Sequence, residues 1–397
     1  MKRNYIFLLL SEIVCFWVLF LCFPYTIQMQ EGEDLFLLTR EFLGGVISRP
    51  QGITFLISDF LEQFFATAWA GALIYSLVIT LSQCLLLLTL RNLGKTSFGW
   101  LAFFPALLVV PNSFPFVDMS VNFLFFSLLL YVFTAIKSKI WRTVYTLLLP
   151  IPAFCLMPWY EAVILLVVFV ILEYVYHKSK ITSAVILVPL AFSFFVPRLW
   201  SDFVDFVPFN KRPLTGIDEF FTWKVFVGYV ITCAAVLMPL KKKTAGWISC
   251  TASALCIAAF AAIMLTDKDL LFGERTNKLS LLADQKDWEG IIAEVPYDEA
   301  VKSKILTDYV LLAMSATDNL PQVLFSYPIS SPEDFLYRHD KRTFYTNFNR
   351  QFYDNIGIWD EAFHQAFEYG VTQRENECFR SLRFKIDYAL NSSDLGV

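Results

Sequence analysis

Histidine is nearly absent from this 397-residue sequence: three occur, at positions 177, 339 and 364, and none is spaced as the partner of another. A His-based triad or His-ligated metal centre is therefore not expected. Eight cysteines form no CxxC and no cluster with histidine, and Cys378 stands alone in the C-terminal third. That excludes a zinc ribbon and a disulfide scaffold. Charge is scarce too. Charged residues make up 17% of the chain, where soluble domains carry roughly a quarter, which argues against a soluble enzyme. The net charge of −4 offers nothing to a nucleic acid, so no nucleic-acid partner is expected.

What replaces charge is apolar and aromatic mass: 56% of residues are hydrophobic and 41 are Phe. The distribution breaks near Thr266. Residues 1–265 hold 18 Lys/Arg against 14 Asp/Glu in long apolar runs, whereas 266–397 hold 14 against 22 with amphipathic patterning. The expectation is an all-α protein of two parts. Residues 1–265 form a polytopic membrane bundle, and 266–397 a water-exposed helical domain.

A helix needs about 20 apolar residues to cross the hydrocarbon core. Nine runs qualify, at about 5–23, 66–90, 97–112, 118–136, 143–157, 160–176, 181–197, 222–240 and 245–265. The third and fifth are short, and Pro105, Pro111, Pro150, Pro152 and Pro158 would kink or end them. The first run resembles a signal peptide, but Phe23-Pro24-Tyr25-Thr26 offers no small-residue cleavage site, so a retained helix is predicted. Lys2 and Arg3, Arg91 and Lys95, Lys137, Lys139 and Arg142, Lys178 and Lys180, and Lys241–Lys243 occupy alternate short loops. The positive-inside rule then predicts a cytoplasmic N-terminus. Nine crossings place 266–397 on the far side, the periplasm if the membrane is a bacterial inner membrane.

The first external loop is not a polar linker. Leu35, Leu38, Phe42 and Val46 recur at helical spacing; after Gly44-Gly45, a second stripe of Ile53, Leu56, Phe60 and Phe64 opposes Ser58, Asp59, Glu62 and Gln63. Two amphipathic helices lying in the interface are predicted. They are preceded by Glu31-Gly32-Glu33-Asp34, the most acidic stretch of the membrane part. Acids collect in external loops without any function. Equally, a carboxylate held just above the membrane can serve as a general base or metal ligand. Arg40, Arg49, Arg198, Lys211, Arg212 and Lys224 lie on the side the positive-inside rule disfavours. They either pair locally with Asp202, Asp205, Asp218 and Glu219 or hold a phosphate head group. Within the apolar runs Glu12, Ser82-Gln83, Glu161 and Glu173 stand out.

The C-terminal part reads as short amphipathic helices at about 279–295, 299–316, 343–356, 359–371 and 376–390. Tyr353-Asp354-Asn355-Ile356-Gly357-Ile358-Trp359 turns one helix into the next, with Ala362 poised to pack on its partner. This stretch resembles the tetratricopeptide pattern, although no regular 34-residue period runs through the domain. Stacked hairpins of that kind present concave surfaces to peptides or proteins.

One helix, an acid-led external loop, a multi-helix bundle and a distal repeat-like domain together resemble the GT-C class of glycosyltransferases. The layout is also similar to an uncharacterised family of bacterial polytopic proteins with repeat-containing C-termini. The GT-C resemblance implies transfer of a sugar from a polyprenyl-phosphate-linked donor. Its acidic pair would fall on Glu33 and Asp34, with Glu31 as a neighbour and Mg or Mn as a divalent cofactor. Its phosphate-binding cation would fall on Arg198, or on Lys211 and Arg212, with Arg40 nearby. The alternatives are a non-catalytic scaffold that presents 266–397 to an envelope protein partner and, third, a transporter. Membrane lipid is a partner in every case.

Overall fold

The computed structural model describes residues 2–49, 51–105, 109–111, 114–193, 219–238, 246–329, 343–373 and 377–394. Among these residues every regular element is a helix. Among the described residues four helices are long and apolar enough to cross a membrane: α1 (Lys2–Cys22), α5 (Ala68–Asn92), α6 (Val117–Ala135) and α12 (Gly246–Thr266). At 1.5 Å per residue, the 25 residues of α5 reach about 37 Å, more than the hydrocarbon core requires. Helix α5 packs along both α1 and α6, and α12 lies against α1. The interior of the bundle is aromatic, as where Phe133 of α6 stacks on Phe169 of the segment 159–175 with ring centroids 4.0 Å apart. Ile6, Leu9, Trp17 and Leu21 of α1 face outward, as a lipid-facing helix requires.

The remaining apolar runs form shorter or bent elements: α9 (Trp159–Val175), α10 (Lys180–Ser193) and α11 (Glu219–Leu237). The run 143–157 holds two helices, α7 (Lys139–Leu148) and α8 (Pro150–Leu156), joined at Leu149, which keeps helical dihedrals. Of the run 97–112, residues 106–108 and 112 lie outside the described residues, and 109–111 are helical. The run opens with a 3-10 segment, Thr96–Ala102. A Cβ on Gly99 would lie 2.2 Å from Asn4 Nδ2, beside the start of α1, while Phe114 rings with Phe23 at 5.1 Å, beside its end. Gly99 and Phe114 thus sit beside opposite ends of α1. Pro105, Pro111 and Pro115 remove the donors a helix would need.

Charge sorts to the two ends of this bundle. Asn4 and Arg91 border one small cavity, Lys137, Lys139, Arg142, Lys178 and Lys180 border another, and buried Lys95 donates to the Val236 carbonyl at the same end. The opposite end carries Asp34, Asp59, Glu62, Asp118 and Glu161.

From Thr266 the chain passes directly into α13 (Lys268–Asp284), whose first amides are capped by Asp267 at 3.0 and 3.2 Å. The predicted helix 279–295 is interrupted because Lys286 takes φ 58°; Asp287 then caps α14 (Trp288–Glu294). Then follow α15 (Tyr297–Ala300), α16 (Lys304–Ala316), α17 (Leu320–Val323), α18 (Thr343–Asn355), α19 (Trp359–Val371) and α20 (Phe379–Asp394). Helices α18 and α19 form a hairpin around Gly357, at φ +76°, with Ala362 and Ala366 fully buried between helices. A polar knot ties α13 to α18: Asp284 accepts from Arg350 and from Gln351 at 2.7 Å, while Tyr309 donates to Gln351 at 3.0 Å.

Candidate functional site at the acidic end

The loop after α1 breaks at Phe23, and Pro24 starts a second helix, α2 (Pro24–Glu31), at the position where a missing N–H is harmless. The amides of Tyr25 and Thr26 need acceptors, and Glu274 of α13 supplies both oxygens, at 2.9 and 2.8 Å. Asn277 adds a bond to the Thr26 hydroxyl at 3.1 Å. At the other end of α2, the Arg380 amide donates to the Gly32 carbonyl at 3.0 Å. The C-terminal domain therefore clamps the acidic stretch at both ends.

Within that clamp the three predicted acids go to three places. Glu31, half-buried, borders a cleft of about 560 Å³ beside Arg380 and Arg383. Glu33 faces the C-terminal domain: Tyr369 and Gln373 donate to its two oxygens, the latter at 3.1 Å, and Arg380 lies 3.7 Å away. Burial pushes the Glu33 carboxyl above its ordinary value, with Arg380 and Tyr369 pulling the other way. Burial likewise raises Glu31, opposed by Arg380 and Arg383. Asp34 turns the other way, toward the membrane bundle.

There Asp34 meets two acids that sequence reasoning assigned only to the polar face of an interfacial helix. Oxygens of Asp34, Asp59 and Glu62 all lie within 4.8 Å of one another. The geometry comes from α3 (Arg40–Ile47) and α4 (Gly52–Glu62), which fold back on each other at Gln51, φ 60°. Gly52 permits the closeness, since a Cβ there would fall 2.0 Å from the Val46 carbonyl. Helix α4 then packs its polar stripe inward against α6 and α8. Thr54, Ser58, Asp59 and Glu62 are buried, whereas Phe60 and Phe64 are about half exposed. In water this would be an inside-out helix. Beside lipid it is the favourable orientation, with apolar groups outward and carboxylates inward.

Three ionised carboxylates at that spacing repel by at least about 3 kcal/mol per pair at an effective dielectric of about 20. Positive charge or bound protons must offset this. The donor set, three hard oxygen ligands from two elements, suits Mg, Mn or Ca rather than a thiolate- or imidazole-seeking metal. Ser58, one turn before Glu62 on the same face, is buried, and its hydroxyl lacks a hydrogen-bond partner among the described residues. Nearby, Asn122 of α6 donates to Gln51 at 3.3 Å, and Asp118 lies within electrostatic reach of Glu161.

The chain belongs to DUF6057, a family of unknown function. The family model matches residues 2–389, nearly the whole length. No curated protein and no solved structure matches the chain. Membership therefore fixes a family without fixing chemistry, and the site must be read from its own residues.

Of the remaining predicted residues, Arg40 is exposed at the first position of α3, while Arg198, Lys211 and Arg212 lie outside the described residues. Glu12 accepts from Ser76 at 2.8 Å between α1 and α5, and Glu173 pairs with Arg142 at the basic end. Asp59 and Glu62 are the residues sequence reasoning passed over. Their signal was present: i and i+3 spacing on the face that also carries Thr54 and Ser58, a polar stripe too long for a helix that merely rests on lipid.

Proposed function

We propose that this protein is a GT-C-like membrane glycosyltransferase that moves a sugar from a polyprenyl-phosphate carrier, with Asp34, Asp59 and Glu62 as its reacting centre. The observation that carries the reading is the inward turn of the α4 polar stripe, which gathers three carboxylates at the acidic end of the bundle. In this reading that end faces the periplasm and the C-terminal domain is tetratricopeptide-like. One carboxylate takes the proton of the acceptor hydroxyl or amine as its lone pair attacks the anomeric carbon. The bond from that carbon to the carrier phosphate breaks, and polyprenyl phosphate leaves with the electron pair. A divalent cation held by the other carboxylates would stabilise the departing phosphate. Arg198, Lys211, Arg212 and Arg40 are proposed phosphate contacts. The test is turnover of radiolabelled polyprenyl-phosphate hexoses by protein reconstituted in liposomes. Asp59→Asn and Glu62→Gln should each lower turnover at least about 100-fold. Unchanged turnover in both would remove the reading.

One observation favours a second reading, a scaffold for a protein partner. The 560 Å³ cleft between α2 and the C-terminal domain is bordered by Trp288, Trp359, Phe384 and Tyr388 together with Arg380 and Arg383. Aromatic and arginine side chains are the usual anchors of peptide recognition. If Trp359→Ala removes the cellular phenotype while the three-carboxylate variants keep it, the scaffold reading is the correct one.

A further inference from the structure

The basic end of the bundle holds a second built feature. A cavity of about 900 Å³ opens between the end of α5, the 136–138 turn and the 176–180 turn. Lys137, Lys139, Lys178 and Lys180 line it with Arg142 and His177, and no carboxylate among the described residues does. None of the four lysines forms an ion pair among the described residues, whereas basic residues of the C-terminal domain such as Arg275, Lys278 and Lys385 do.

The frame beneath these lysines is rigid. Arg142, buried, pairs with fully buried Glu173 and donates to the Ile136 and Lys137 carbonyls at 3.0 and 2.9 Å, which fixes the first turn. The Glu173 carbonyl accepts from the Ser179 amide at 3.1 Å, which fixes the second. Lys178 is held at φ 51°, a left-handed conformation that a lysine rarely adopts without surrounding constraint. Helices α7 and α10, of 10 and 14 residues, both begin at this cavity, and Ser138 places no side-chain cap on the first amides of α7. Their amide ends add partial positive charge to the lysines.

Topology alone accounts for basic residues on this side of a membrane. It does not require them to converge on one cavity, on a buried ionic frame, at two helix N-termini. We infer that this cavity binds a phosphate group, supplied either by an anionic phospholipid at the membrane surface or by a soluble phosphate compound. The inference is independent of the acidic-end chemistry.

The experiment uses the full chain in nanodiscs, with wild type compared to a Lys137→Gln, Lys139→Gln, Lys178→Gln, Lys180→Gln variant; all four side chains are exposed, so the frame is left intact. One arm raises the phosphatidylglycerol fraction in phosphatidylcholine discs and counts retained lipid by native mass spectrometry. The other titrates inorganic phosphate and pyrophosphate into pure phosphatidylcholine discs and reads binding by calorimetry. Retention of phosphatidylglycerol that falls at least tenfold in the variant assigns the lipid source. Saturable pyrophosphate or phosphate binding that weakens at least tenfold assigns the soluble source. Binding equal in wild type and variant in both arms, or absent from both, overturns the inference. A Lys286→Gln, Lys302→Gln control in the C-terminal domain should match wild type.

Discussion

Asp34 and Glu33 are sequence neighbours with opposite allegiances. Glu33 is spent on Tyr369, Gln373 and Arg380, so it positions the loop. Asp34 joins Asp59 and Glu62. Three carboxylates this close predict that the stability of the detergent-solubilised protein responds to a divalent cation. Magnesium or manganese should raise the wild-type Tm and leave that of Asp59→Asn nearly unmoved. A wild-type Tm indifferent to both ions would mean that the acids are neutralised in another way. At the turn before α4, Gly52→Ala should destabilise by about 1–3 kcal/mol, since the added methyl meets the Val46 carbonyl head-on. Chemical denaturation would measure it, and a neutral result would mean that the α3–α4 hairpin opens at little cost.

Among the elements, long apolar runs were the most legible. The runs at 5–23, 66–90, 118–136 and 245–265 correspond to α1, α5, α6 and α12 because a run of that length in lipid has one way to satisfy its backbone. Runs that contain proline are less legible as spans, since Pro105, Pro111 and Pro150 each remove a backbone donor and leave tertiary packing to decide how the segment continues. The period of α4 was visible, but its direction was not. Hydrophobic patterning identifies two faces of a helix and leaves open which one meets lipid and which meets protein. The candidate site was half legible for that reason: Asp34 came from local acidity, whereas Asp59 and Glu62 needed the orientation of α4. Least legible was the clamp on α2, which joins residues about 250 positions apart in sequence. Glu274→Ala should leave the Tyr25 and Thr26 amides without acceptors and cost about 1–2 kcal/mol. Hydrogen exchange at those two amides should accelerate roughly tenfold or more, and unchanged protection would show that the clamp holds α2 by other contacts.

For the whole molecule, the C-terminal domain is a structural partner of the acidic end rather than a free appendage. Removing 266–397 should therefore disturb the carboxylate centre as well as any partner binding, so a truncation cannot separate enzyme from scaffold. Point substitutions can. Docking should also respond to pH. Burial raises the folded-state pKa of Glu33 and Glu274 above the unfolded value. Their contribution to docking is then fully present below the unfolded pKa and is lost as pH rises through the folded one. Exchange protection across residues 25–34, corrected for intrinsic rates, should fall as pH rises above the ordinary carboxylate range, and Glu33→Gln should flatten that slope. A slope of the opposite sign would mean that Arg380 dominates over burial at Glu33.

The central claim is that the carboxylates facing the bundle, and not those facing the C-terminal domain, carry chemistry. The most direct measurement compares Asp34→Asn with Glu33→Gln in the liposome turnover assay for polyprenyl-phosphate-linked sugars. The account predicts that Asp34→Asn abolishes turnover while Glu33→Gln retains a measurable fraction of it. Equal turnover in Asp34→Asn and wild type, or loss confined to Glu33→Gln, would contradict it.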